Sequence, residues 1–297
     1  MPLEISLSTL VQIVIWGLIN GCIYVLLASG LNLIFGVMKV VNFAHGEFMI
    51  LGGYVSYWVS IYAGLNPYFS IFVSIGVIGI VGVLTERVCF RRVLGTSKLN
   101  EIVLSLGLIY VLQNAMSVLW TDKERQISSP FEFITVHFEI ININMRLDLL
   151  IVIGVTVLIM AGFYILIKRT KIGRAIRATS QNRSAAMLMG INVEYMDMFS
   201  FGLGTALAAT AGTLLAILFP ALYPQAGAMP ALKAFTIIVL GGLGSTIGAI
   251  VGGLAYGLAE SSAIAILGGT WRDAIAFAIL ILVLVIRPTG LFGEKEA

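Results

Sequence analysis

The chain has 297 residues, 59% of them apolar and only 11% charged, with a formal charge of +3. Soluble domains carry about 25% charged residues, so this composition excludes a water-soluble enzyme, a nucleic-acid binder and a disordered tail. Apolar runs of about 20 residues, each able to cross about 30 Å of hydrocarbon, recur along the whole sequence and predict a polytopic integral membrane protein.

The predicted spans are 9–36, 43–63, 68–88, 102–120, 149–167, 197–219, 232–258 and 273–286, about eight hydrophobic segments within a single transmembrane domain, 1–297. Backbone facing lipid finds no water to bond, and these runs lack the alternation of a barrel, so the fold class is all-α. No Lys or Arg precedes the first span, which therefore reads as a permanent helix rather than a cleaved signal. Cys22 and Cys89 stand apart and give no disulfide or metal framework.

A first interruption follows at 41–48, where Asn42, His45, Gly46 and Glu47 sit between apolar runs. Asn42 can cap a helix beginning at Phe43, which would place Glu47 near the positive end of the helix dipole. Ionisable groups at membrane depth mark pathways; the plainer account of Glu47 is capping or pairing.

Ten of the 18 Lys and Arg residues fall in two short segments, Arg87 to Lys98 and Lys168 to Arg183. Basic short loops stay cytoplasmic. Between them, the loop 121–148 holds three basic and five acidic residues and suits the outer face. Its stretch Phe131 to Ile140 is aromatic and β-branched, which predicts either a small hairpin on which a docking protein could rest or a plain connection.

The inner loop 168–197 carries Arg174, Arg177 and Arg183, followed by Ser184, Ala185, Ala186 and Met189 at helical spacing and Gly190 as a helix end. An amphipathic helix here either lies on the membrane surface or receives a push from a soluble motor.

Further on, Gly241-Gly242-Leu243-Gly244-Ser245 interrupts 232–258 midway. Arg287-Pro288 reads as a cytoplasmic end, and a helix broken at 241–245 that returns to the face it entered would restore that parity. Interrupted segments in both halves point to an inverted repeat, although setting Gly52-Gly53 against Gly252-Gly253 yields only scattered matches. Ser245, Ala249, Gly253, Gly257 and Ser261, like Ala208, Gly212 and Ala216, recur every four positions, as in helices packed within one chain or between two. Lys233 is expected to snorkel outward, and Glu260, Arg272 and Asp273 to neutralise one another at an outer turn. No phosphate-binding loop, H-E-x-x-H or G-x-S-x-G occurs, so no catalytic residue, metal or cofactor is assigned.

The segment Ser184-Ala185-Ala186 to Gly190 resembles the E-A-A-x-x-x-G coupling loop of ABC importer permeases, with Ser184 in place of the acidic residue. Gly30 to Val37 with Val41 to Glu47, Lys233 to Phe235 with Val239 to Ser245 and Gly252-Gly253, and Arg287 to Gly293 resemble the branched-chain amino-acid permease family of LivH type, in order along nearly the whole chain. That resemblance implies a permease subunit in a prokaryotic plasma membrane, paired with a homologous second permease, two cytoplasmic ATP-binding subunits and an external solute-binding protein. It places Asn42, His45, Gly46, Glu47, Gly241, Gly242, Gly244 and Ser245 near the translocation path, and Arg183, Ser184, Ala185, Ala186 and Gly190 against the ATPase. Urea or short-chain amide permeases share these motifs, and a stand-alone ion-coupled transporter using Glu47 and His45 is the other alternative.

Overall fold

The computed structural model of the chain describes residues 7–138, 143–220, 222–287 and 290–292. Helices α1 (Leu7–Met38), α2 (His45–Tyr62) and α3 (Pro67–Thr85) come first, and α3 continues through a π-turn (Glu86–Phe90) into α4 (Arg91–Val93). After α5 (Lys98–Trp120), a hairpin of β1 (Thr135–Phe138) and β2 (Ile143–Arg146) precedes α6 (Leu147–Arg169). Two short helices, α7 (Lys171–Gln181) and α8 (Arg183–Leu188), lead to α9 (Val193–Leu218), and α10 (Ala228–Gly241), α11 (Thr246–Leu267) and α12 (Arg272–Ile286) close the chain. Among the described residues, six of these helices are long and apolar enough to span a membrane.

Helix starts follow local chemistry. Asn66 accepts from the Tyr68 N–H, with Pro67 in the first turn, while Asn192 accepts from Tyr195 and Ser245 from Gly248. Protein encloses 89% of the most apolar stretch of α9 but only 11% of that of α5, so α9 is core and α5 periphery. The small-residue stripes serve packing inside the chain: Gly253 and Gly257 lie against Val25 and Gly21 of α1, and Gly212 lies against Met49 of α2.

The face carrying both basic segments is called here the basic face. Gly17 and Gly21 meet Leu258 and Leu254, so α1 and α11 run antiparallel, as do α3 and α9 through Gly79, Val83, Gly202 and Ala206. The series α1, α2, α3, α5 is thereby matched, upside down, by α9, α10, α11, α12. Gly30 faces Gly204 and Gly46 faces Gly227 across the relation. This register sets α2 against α10, so Gly52-Gly53 is not the counterpart of Gly252-Gly253, which lies on α11.

Both predicted interruptions exist, at different depths. The Nε2 of His45 lies 3.1 Å from the Leu27 carbonyl, about 16 Å of helix short of the end of α1. The chain therefore leaves α1 at the basic face, rises unwound through 39–44 and starts α2 at mid-depth. By contrast, Gly241 to Ser245 is not a midplane break. Gly244 donates to Asn32 Oδ1 at 2.7 Å and lies beside Gly36 near the end of α1, with Ser180 of α7 close by. Positive φ at Gly242 (102°) and Gly244 (85°) makes a tight turn at the basic face. The mid-depth break of the second half lies instead between α9 and α10, where a 3-10 turn at Pro224–Gly227 leads into α10. Three crossings then follow α9, and α12 returns the chain to the basic face, as its Arg287 ending predicts. Residues 232–258 thus belong to two helices that meet at the predicted interruption, the second returning toward the face from which the first descends.

Candidate functional site

The two mid-depth helix starts meet. Gly46 packs on the Gly227 carbonyl and on Ala231, and the Glu47 carboxylate rests against Gly227, where an added Cβ would stand 2.7–2.8 Å from its three carboxyl atoms. Glu47 lies in the first turn of α2 and beside the start of α10, so two helix N-termini direct partial positive charge toward it. Its Oε1 accepts from Gln113 of α5 at 2.9 Å, while the buried Oε2 has no partner among the described residues. His45 Nδ1 and Asn42 Nδ2 are likewise buried and unpartnered there. A carboxylate 1% exposed with a spare oxygen, amid polar atoms and backbone, is a site able to exchange partners with a polar guest.

Asn42 does not cap a helix at Phe43. Its Oδ1 accepts from the Ala44 N–H at 3.1 Å, and α2 begins at His45. The structure brings Asn42, His45, Gly46 and Glu47 together. It does not bring Gly241, Gly242, Gly244 and Ser245 to them, because those residues form the turn at the basic face. Gln113 and Gly227 escaped sequence reasoning because contact across helices leaves no local pattern.

A second buried polar cluster lies between α1, α10, α11 and α12. Lys233 Nζ stands 2.6 Å from Glu260 Oε1, Tyr24 donates to Glu260 Oε2 at 2.6 Å, and Arg272 Nε reaches Glu260 at 2.8 Å. Lys233 therefore does not snorkel, and Glu260 is 0% exposed rather than at a surface turn. Burying both charges is tolerable because each is paired and hydrogen-bonded. The Asp273 side chain lies outside the described residues.

At the basic face the expected amphipathic helix is two helices split at Asn182, whose side chain accepts from the Ala185 N–H at 2.9 Å to start α8. Gly190 (φ 79°) ends α8, with Gly190 N–H on Met187 O and Ile191 N–H on Ala186 O, both 3.0 Å. Ala186 is buried, whereas Ser184, Ala185, Met187, Leu188 and Met189 are exposed, an open apolar patch on a short rigid helix. Arg183 makes a two-pronged ion pair with Asp197 in the first turns of α9. Beside it Arg91 bridges Glu86 of the π-turn and Glu194 of α9, both at 3.2 Å. Asp197, Glu86 and Arg91 were not anticipated as members of this network.

On the opposite face the predicted hairpin is present, Thr135 to Phe138 pairing with Ile143 to Arg146; Glu139 and Ile140 lie outside the described residues. Asp148 anchors its base, accepting from Tyr68 at 2.6 Å, Ser129 at 2.5 Å and Arg146 at 2.9 Å.

A helix that starts at mid-depth in each inverted half is the architecture of a membrane transport protein. Residues 13–284 match the family described as branched-chain amino acid transport system / permease component, and the chain belongs to that family. It is 34% identical over 293 residues to the high-affinity branched-chain amino acid transport system permease protein LivH of Escherichia coli, covering 94% of each chain. It is 33% identical over 290 residues to BraD, the permease protein of the same name in Pseudomonas aeruginosa, again covering 94% of each. The probable LivH of Methanocaldococcus jannaschii is 31% identical over 93% of this chain and 90% of its own. In fold, the chain is similar to a chain of PsaBC from Streptococcus pneumoniae, solved in complex with Fab, with TM-score 0.51, 14% identity and 92% and 91% coverage. The chain is a multi-pass prokaryotic plasma-membrane protein, and its relatives are transport permease subunits.

Proposed function

We propose that this chain is the membrane-spanning permease subunit of an ATP-binding-cassette importer for branched-chain amino acids, working with a homologous second permease, two cytoplasmic ATP-binding subunits and an external solute-binding protein. The substrate class is supported by the names of its relatives at 31–34% identity. The observation that carries the mechanism is the meeting of the α2 and α10 N-termini at Glu47, a buried carboxylate with an unused oxygen at mid-depth. Asn42, His45, Gly46 and Glu47 line the path, with Gln113 and Gly227. The glycines of 241–245 act instead as a hinge beside α7. The face bearing α8 is cytoplasmic, in keeping with its basic residues, and Met187 to Met189 dock into the ATPase. Ser184 lacks the acidic group of related loops, and Arg183 with Asp197 secures the helix in its place.

In this mechanism ATP-driven closure of the motor subunits pushes α8. The Arg183–Asp197 pair carries the push to α9, and α9 shifts the start of α10 relative to Glu47. The test is uptake of radiolabelled leucine by cells carrying the assembled transporter with Glu47→Gln. Uptake falls sharply while membrane protein stays at wild-type amount. Undiminished uptake would remove Glu47 from the path, and loss of the protein would make its role purely structural.

A further inference from the structure

A groove of about 330 Å³ opens on the outer surface of the bundle between α3 and α9. Its walls are Gly76, Gly79, Ile80, Val83 and Leu84 on one side and Phe199, Gly202 and Leu203 on the other, with almost no polar atom. Gly76 has nothing within 4 Å of a built Cβ, so the floor is open rather than packed.

Three observations identify what fills it. From Gly76 to Leu84 the groove runs about 12 Å along α3, most of one leaflet of a hydrocarbon core about 30 Å thick. Toward the opposite face the lining stops at Gly76, and the bulky Phe69 and Phe72, 65% and 64% exposed, take the next positions on the same helical stripe. A transmembrane helix needs a channel through both leaflets, whereas a single acyl chain needs only this one. Toward the basic face the stripe continues to Arg87, which is exposed and makes no ion pair among the described residues. The neighbouring carboxylates Glu86 and Glu194 are both held by Arg91. On α9 the wall ends in Tyr195, 49% exposed, which stacks with Phe199 at 6.4 Å, an interfacial phenol of the kind found at headgroup level.

We propose that this groove holds one acyl chain of an anionic phospholipid from the basic-face leaflet, with its phosphate at Arg87 and Tyr195. The bound chain seals α9, the core helix of the bundle, where it lies nearest lipid.

The test uses the assembled transporter purified in mild detergent, with retained phosphatidylglycerol and phosphatidylcholine counted by native mass spectrometry. Gly76→Leu fills the floor, where an added Cβ meets nothing within 4 Å, and displacing about two methylenes lowers retention of either lipid about tenfold. Arg87→Gln keeps the acyl chain but lowers the preference for phosphatidylglycerol about fivefold. Unchanged lipid in both variants overturns the proposal. Crosslinking of Gly79→Cys to another protein chain in native membranes also overturns it, because a partner helix would then occupy the groove. The gel-filtration profile and thermal midpoint of Gly76→Leu show whether the variant is folded. Should it be unfolded, Ile80→Trp, which caps the groove from an exposed position, gives the same readout.

Discussion

Gly46 sits where the backbone of one mid-depth helix start touches the other, and an added methyl group would collide with the Gly227 carbonyl. Gly46→Ala should therefore lower stability by about 1–3 kcal/mol, the usual cost of overpacking a tight site, seen as a lower thermal midpoint in detergent. The Glu260 cluster predicts an asymmetry. Lys233→Met leaves Glu260 with Arg272 and Tyr24, whereas Glu260→Gln takes away the carboxylate that both cations share. Losing one side of a buried pair costs about 3–5 kcal/mol, so Glu260→Gln should unfold at the lower temperature of the two; the reverse order would contradict the assigned pairing. At this scale the sequence shows which residues are unusual for their surroundings but not whom they meet. Asn42, His45 and Glu47 stand out as polar groups between apolar runs, while Gln113 is one more polar residue on a peripheral helix. Lys233 and Glu260 lie on antiparallel helices, and nothing along the chain announces their contact.

Helix α8 is an element whose ends are fixed by side-chain and glycine caps and whose outer side is bare. Gly190→Pro forces φ near −65° where the chain needs 79°, so it unseats Ile191 and the α8–α9 joint. Assembly in the membrane should survive while ATP hydrolysis by the partner subunits stops responding to solute. Asp197→Asn should weaken the same response without disturbing α8 itself, at a cost near 1.5 kcal/mol, the low end for a charged hydrogen bond because Arg183 is half open to water. A full solute response in both variants would argue against transmission through this joint. The glycine end and the basic face of this region are legible in local sequence, whereas the Asn182 cap that splits it into two helices escapes that reading. Nor is the placement of Gly241 to Ser245 legible there. A glycine-rich turn reads alike at mid-depth and at the surface, and only its contacts with Asn32 and Gly36, near the end of α1, fix its level.

As a whole the molecule carries no nucleotide-binding loop in its sequence, so under the proposed function it should accumulate no leucine against a gradient in sealed vesicles by itself, measured with and without external ATP. Uphill accumulation would point to ion coupling instead. Composition specifies a membrane protein, and the continuous apolar runs, without a barrel's alternation, specify the all-helical class. The inverted halves are hidden in sequence because helix packing in lipid asks only for small residues at contacts, which many unrelated strings provide. Where α1 gives way to α2, the backbone N–H groups of Val40, Val41, Asn42 and Phe43 lack hydrogen-bond partners among the described residues. Hydrocarbon cannot satisfy four free amides, so water must reach them, and this short stretch is a wetted seam climbing halfway through an otherwise dry wall. Its protons should exchange with deuterium long before those of the flanking helices.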